Sequence, residues 1–107
     1  MGTRSILALE KGVAQLRSLL PGRGDAEYWS MMAATAMIGQ NDAEPEIFTL
    51  EDARMLLAFA REKGMARLSF WAVDRDNGSC AGRSTAQDEC SGIRQDQWAF
   101  SNLFGAY

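Results

Sequence analysis

The strongest constraint on the fold is a helix that passes directly into a strand, in "TLEDARMLLAFAREKGMARLSFWAV". Thr49 stands three residues before Asp52, a spacing that resembles a capping box with Asp in the acidic position. Gly64 suits the left-handed residue that follows a helix. Residues 50–63 are therefore predicted to form a helix, and "MARLSFWAV", residues 65–73, is predicted to form the strand that follows it.

The predicted strand has two unlike faces. Alternation sets Leu68 and Phe70 on one face and Arg67, Ser69 and Trp71 on the other. The second face mixes charged, polar and aromatic side chains, so it is not expected to be simple core.

Other segments extend this alternation of helix and strand. Apolar residues at three- and four-residue spacing predict an amphipathic helix over 5–20, and Asp25 is predicted to cap a short helix over 26–32. The apolar segment 33–39 fits either a helix or a buried strand on its own. Residues 94–107 are predicted to contain a last helix. Trp98, Leu103, Phe104 and Tyr107 are predicted to lie on this helix.

Two loops separate these elements. Residues 40–46 are predicted to be a loop because their acids and Pro45 do not continue either kind of element. Residues 74–92 form a second loop, which holds both cysteines.

The bulky side chains near the first predicted strand are expected to fill the core. They are Tyr28, Trp29, Met31, Met32 and Met37.

The predicted order is helix, strand, helix, strand, helix, in one segment over residues 1–107. Strands that alternate with helices indicate an α/β fold with a parallel sheet and right-handed crossovers. Two parallel strands leave two open edges and need cover on both faces. The chain is therefore expected to be a portion of a larger α/β structure, or a protomer that completes its sheet with another copy.

Composition excludes several functional classes. The net charge is −3 and the 11 Lys and Arg residues are scattered, so nucleic acid is not an expected partner. No apolar run approaches the length of a membrane span, and "MGTRSILALEKG" lacks the pattern of a signal peptide. The sequence has no His, which rules out His-based catalytic pairs and His metal sites. Two cysteines alone cannot build a four-ligand zinc site, so no metal or cofactor is expected.

Cys80 and Cys90 flank a short loop rich in Gly, Ser and polar residues. They are read either as a disulfide that staples this loop, which implies an oxidising compartment, or as two unrelated thiols. The disulfide is favoured because the loop has little else to hold it.

Polar and aromatic residues follow both predicted strands. Gln40 and Asn41 come after the first, where their side chains either bind a ligand or stabilise the turn. Trp71 ends the second strand, either as a core residue or as an aromatic contact for a ligand. Asp74, within "DRD", either binds ligand or joins a local ion-pair network that fixes the loop.

Several motifs resemble bacterial chitinases of glycoside hydrolase family 18. They are "MIGQND", "FTLEDA", "LSFWAVDRD" and "CSGI", and the resemblance covers nearly the whole chain. It implies the C-terminal part of a (β/α)8 barrel, with residues 33–41 as the seventh strand and 66–73 as the eighth. It also implies that Trp71 lies on the floor of the sugar site. Gln40, Asn41 and Asp74 are then candidate substrate-binding residues.

The sequence departs from the family at the catalytic centre. Family 18 enzymes carry an Asp-x-x-Asp-x-Asp-x-Glu motif, whose Glu is the general acid, and no such motif occurs here. The chain is therefore expected to be inactive alone, although the family hydrolyses β-1,4-linked N-acetylglucosamine polymers. The resemblance further implies secretion and chitin or chito-oligosaccharide as ligand. A non-catalytic sugar-binding or self-assembling fragment is the alternative, with another copy or the rest of the barrel as its partner.

Overall fold

A computed structural model describes residues 1–43 and 45–107 of the chain. Glu44, which belongs to the predicted loop 40–46, lies outside the described residues. The helices and strands are α1 (Gly2–Leu19), α2 (Asp25–Ser30), β1 (Ala33–Met37), β2 (Gly39–Gln40), β3 (Ile47–Phe48), α3 (Leu50–Lys63), β4 (Arg67–Trp71) and α4 (Ala99–Phe104). A single 3₁₀ turn, Val73–Arg75, follows β4.

Strands β1 and β4 form a parallel pair. Their register runs from Ala33 opposite Arg67 to Met37 opposite Trp71, so both strands end at the same edge of the pair. This confirms the predicted mixed α/β fold and its two parallel strands, with 33–37 as a strand rather than a helix.

The predicted strand over 33–41 is interrupted, however. Gly39 has φ +70°, a conformation that Gly adopts at little cost, and the chain turns there. Beyond this turn β2 pairs with β3 in antiparallel fashion, with Gly39 opposite Phe48. The continuous strand to residue 41 was therefore wrong, because the backbone leaves the parallel pair after Met37.

Helix α3 forms as its sequence predicts. The hydroxyl of Thr49 accepts a hydrogen bond from the Asp52 N–H, and the Asp52 carboxylate accepts one from the Thr49 N–H. At the other end, Gly64 adopts the left-handed conformation with φ 69° and ψ 43°. This firm stop lets β4 begin three residues later.

The helices and the inner residues of both strands enclose a single core. Tyr28 and Trp29 are buried, as predicted. The core comprises Leu9, Val13, Tyr28, Trp29, Ile38, Phe48, Ala53, Leu56, Ala60, Met65, Phe100 and Phe104. Met31 was wrongly predicted to be core filler: it follows the end of α2 and is 39% exposed, while the neighbouring Met32 packs against the core.

Two helix boundaries differ from the prediction. Gly24 is the N-cap of α2, so Asp25 is its first helical residue rather than its cap. Helix α4 begins only at Ala99, because Trp98 before it has the left-handed backbone conformation. Tyr107 lies beyond α4, and its hydroxyl donates hydrogen bonds to the carbonyls of Ala60 and Met65.

The other face of the parallel pair is open. Ala34, Ala36, Leu68 and Phe70 pack against the core, whereas Thr35 and Trp71 are exposed. Thr35 and Ser69 share a hydrogen bond of 2.7 Å across the two strands. No helix within 1–43 and 45–107 is both long and apolar enough to cross a membrane.

Candidate functional site

The candidate site lies at the edge where β1 and β4 end together. Trp71 is the last residue of β4, and its side chain is 61% exposed. Its carbonyl accepts a 3.0 Å hydrogen bond from the N–H of Ile38, which fixes the backbone of Trp71 beside the end of β1. The peptide bond between Trp71 and Ala72 is cis. Within this chain Trp71 is therefore not a core residue.

Arg75 ties the loops that follow the two strands together. Its guanidinium is buried and donates to three backbone carbonyls: those of Ile38, Gln40 (2.7 Å) and Gln87 (2.7 Å). Burial lowers the pKa of Arg75, while the charges of Asp42 and Asp88 act in the opposite direction.

The predicted ion-pair network of "DRD" is therefore wrong. Among the residues described, no ion pair joins Arg75 to Asp74 or Asp76. The fork of five donors on Arg75 fits several carbonyls at once, so the residue fixes the loops through the backbone.

Asp76 organises the start of α4. Its buried carboxylate accepts hydrogen bonds from the N–H groups of Phe100 (3.0 Å) and Ser101 (2.8 Å), from the Ser101 hydroxyl and from the Gln95 amide (both 2.7 Å). Its carbonyl accepts a fifth bond, from the N–H of Trp98. A carboxylate bonded in this way sets the position of the helix that follows.

Gln40 and Asn41 make the contacts expected of turn-stabilising residues. Gln40 is 4% exposed, and its amide nitrogen donates to the carbonyls of Asn41 and Glu46, both at 3.4 Å. The Asn41 amide donates to the carbonyls of Met37 (2.9 Å) and Gly39 (3.0 Å). These bonds hold the turn beside Trp71, and sugar binding by either side chain stays a prediction.

Asp74 lies in the 3₁₀ turn after β4, and its side chain is exposed. Its carbonyl accepts a 3.1 Å hydrogen bond from the Asn77 amide, which also donates to the carbonyl of Glu89 (2.8 Å). Asn77 thus joins the turn to the far side of the second loop. The structure brings Trp71, Asp74 and the 40–41 turn to one end of the parallel pair.

A disulfide joins Cys80 to Cys90, with a Cα–Cα distance of 5.9 Å, and confirms the predicted pairing. The residue after it, Ser91, is buried and accepts a 2.7 Å hydrogen bond from the N–H of Gln40. A Cβ on Gly39 would overlap the Ser91 carbonyl. The disulfide loop is therefore packed against the turn after β1.

The sequence analysis did not predict the positioning roles of three residues. Arg75 and Asp76 bind backbone groups of distant elements, and Ser91 packs against the turn after β1. The only signal was the charged "DRD" beside a Cys-bounded loop, which does not reveal that a charge is buried. The gathered groups can stack on an apolar ring and accept hydrogen bonds from hydroxyls. Within the described parts of the chain, no group of three or more His, Cys, Asp or Glu residues is placed to hold a metal ion.

Solved structures show which class of protein this chain is similar to. The α/β fold with its parallel strand pair matches part of the catalytic domain of a hyperthermophilic chitinase from Pyrococcus furiosus, with a TM-score of 0.91 and 35% identity. The match covers 98% of this chain and 34% of that one. Catalytic-site mutants of active domain 2 of a thermostable chitinase from Pyrococcus furiosus, complexed with chito-oligosaccharides, match with the same TM-score and identity. No family model matches the sequence.

Two curated proteins with similar sequences also have chitinase names. A probable bifunctional chitinase/lysozyme of Escherichia coli K12 is 33% identical over 97 residues, and Endochitinase 11 of Metarhizium anisopliae is 38% identical over 63. These matches cover 88% and 59% of this chain, which spans only 10% and 12% of the two relatives. The homologues of this chain are thus chitinases of the glycoside hydrolase family 18 type, matched over their C-terminal part, and the resemblance predicted from the sequence is confirmed.

Proposed function

We propose that this chain is the C-terminal segment of a chitinase-type (β/α)8 barrel, with β1 as its seventh strand and β4 as its eighth. The superposition of 98% of the chain on a third of a chitinase catalytic domain supports this assignment. The open face and edges of the parallel pair support it too, since a closed barrel would cover both. On this proposal, the larger protein to which this segment belongs hydrolyses β-1,4-linked N-acetylglucosamine polymers.

The observation that carries the proposal is the exposed indole of Trp71 at the carboxyl end of β4. Active sites of (β/α)8 barrels lie at the carboxyl ends of the strands. A broad aromatic face there matches the apolar face of a pyranose ring. Asp74 is proposed to accept hydrogen bonds from sugar hydroxyls, and Gln40 and Asn41 are proposed to complete this wall.

The chain itself is proposed to lack hydrolytic activity. General acid catalysis contributes about 10²–10⁴-fold to such reactions, and the family's Asp-x-x-Asp-x-Asp-x-Glu motif does not occur in this sequence. Incubation with chito-oligosaccharides, followed by chromatography of the products, tests this claim. Robust turnover by the purified chain would refute it. The disulfide agrees with a proposed secreted location.

Trp71→Ala tests the sugar site. Loss of a fully buried Trp costs about 3–5 kcal/mol, but six-tenths of this indole is already exposed, so we expect the free energy of unfolding to fall by only about 1–2 kcal/mol. Binding of chito-oligosaccharide, measured by calorimetry, is expected to be lost. Leu19→Ala is the control, because Leu19 is 75% exposed at the end of α1.

The two measurements distinguish the two roles of the indole. If Trp71→Ala unfolds the chain, Trp71 is structural and the sugar site is wrong. If the folded variant binds as tightly as the parent chain, the same conclusion follows from the binding data.

A second candidate function is self-assembly, and the two-stranded parallel pair favours it. Among the described residues, each of β1 and β4 has a strand neighbour on one side only, and their open face holds Thr35 and Trp71. Pairing of strand edges between copies would satisfy the unpaired backbone groups and cover this face. Light scattering at micromolar concentration is expected to show a dimer or larger closed assembly. A monomer with protected amides in both strands would exclude this candidate.

A further inference from the structure

Trp98 combines two costly features. Its side chain is 46% exposed, so the core gains little from its large indole. Its backbone has φ 63° and ψ 21°, a left-handed conformation that Gly or Asn adopts far more readily than a residue of this size. Core packing and local conformational preference therefore both fail to account for a Trp at this position.

Hydrogen bonds hold the backbone that carries this indole. The Trp98 N–H donates a 2.9 Å hydrogen bond to the carbonyl of Asp76, and its own carbonyl accepts one of 2.9 Å from Asn102. The buried carboxylate of Asp76 meanwhile holds the Phe100 and Ser101 N–H groups of the same helix. Asp76 thus fixes both the backbone that carries the exposed ring and the start of the helix that follows it, an arrangement typical of a pre-organised contact.

Trp98 also lies at the end of the molecule that carries Trp71. Asp76, to which it is bonded, follows the end of β4 by five residues. Between them Val73 is 56% exposed beside α4, where it shares a groove with Ser101 and Phe104. The two residues therefore lie on either side of the 3₁₀ turn that follows β4: Trp71 precedes the turn in the chain, and the backbone of Trp98 is bonded to the residue after it.

We propose that Trp98 is a second aromatic contact for a β-linked polysaccharide, outside the Trp71 site and used by long chains more than by short oligosaccharides. This inference rests on the proposed function. Strained backbone held by its surroundings is a mark of functional positions, and an indole offers the flat apolar surface that a pyranose ring requires. The ring at Trp98 extends the contact along a polymer that already occupies Trp71.

Trp98→Gly separates binding from folding because Gly removes the indole and relieves the backbone at once. Retention on insoluble chitin is expected to weaken roughly two- to tenfold, while stability against urea stays the same or rises. Trp98→Tyr keeps an aromatic ring and is expected to retain most of the binding. Leu19→Ala, the exposed control at the end of α1, is expected to change neither.

Calorimetry with soluble chitobiose and chitotriose is run on the same variants. These short ligands are expected to bind Trp98→Gly as they bind the parent chain and to lose affinity for Trp71→Ala. If Trp98→Gly keeps full retention on chitin while Trp71→Ala loses oligosaccharide, the proposal for Trp98 is overturned and the proposed function stands. Marked loss of stability in Trp98→Gly also overturns it, because the indole is then structural. A parent chain that binds neither ligand overturns both.

Discussion

Replacement of Arg75 by Met is expected to be among the most damaging single changes in this chain. The side chain is almost fully buried, and its guanidinium donates to the carbonyls of Ile38, Gln40 and Gln87. Met fills much of the same space but donates nothing. Arg75→Met would leave three carbonyls that the protein no longer pairs, two of them beside the end of β1.

The magnitude follows from these bonds. A hydrogen bond to a charged group contributes about 1.5–3 kcal/mol, but three on one side chain are not additive, and water reaches the loops once they loosen. A buried acceptor left unpaired costs about 1–3 kcal/mol, so for three carbonyls that are partly reached by water we expect Arg75→Met to cost about 3–5 kcal/mol. The total stability of a domain of this size is roughly 5–15 kcal/mol. The variant is therefore expected to be marginal.

Urea unfolding followed by circular dichroism measures this loss. With a slope of about 1–3 kcal/mol/M for a small protein, the midpoint is expected to fall by about 2 M. Arg75→Lys keeps the charge but cannot reach three carbonyls from one point, so its loss should be about half as large. Exposed Arg94 provides the matched control, and Arg94→Met is expected to stay within about 0.5 kcal/mol of the parent chain. A loss below about 1 kcal/mol for Arg75→Met would refute the argument, because the carbonyls would then be satisfied by other groups.

Three further changes test other parts of the fold. Cys80→Ser with Cys90→Ser should lower the free energy of unfolding by about 2–3 kcal/mol in urea, because the closed loop is short; equal stability of the two forms would contradict this. Asp52→Asn should cost about 1 kcal/mol at neutral pH by breaking the helix cap. Burial raises the pKa of Asp52, but hydrogen bonds from backbone N–H groups outweigh it and hold that pKa below the ordinary 3.8, so the cost should be full above pH 4 and vanish as pH falls through the folded value. A pH-independent difference would disprove the linkage. Gly39→Ala should cost more than about 1 kcal/mol, since φ is +70° and a Cβ meets the Ser91 carbonyl; an unchanged thermal midpoint would show that the turn can relax.

Local signals in the sequence were sufficient for the regular elements. The ends of α3 are set by local signals: the reciprocal hydrogen bonds of Thr49 and Asp52 at its start, and Gly64 after its last residue. Its bounds could therefore be predicted. The turn at Gly39 could not, because its cause is the approach of Ser91 from a loop fifty residues away. Trp98 likewise delays the start of the last helix, because its left-handed backbone is held by a hydrogen bond to Asp76, which no local propensity encodes.

The candidate site shows the same division between local and distant causes. The exposed indole of Trp71 follows from strand alternation, which the sequence displays. What holds the surrounding loops is a buried guanidinium and a buried carboxylate, and neither Arg75 nor Asp76 pairs with an opposite charge in the described chain. Each instead satisfies backbone groups from elements distant in sequence. The adjacent residues Arg75 and Asp76 in "DRD" therefore have separate roles. Arg75 holds the turn after β1, and Asp76 positions the start of α4. Both residues follow Trp71 within five positions, so the loops at the carboxyl end of β4 depend on both, although neither set of contacts is visible in the sequence.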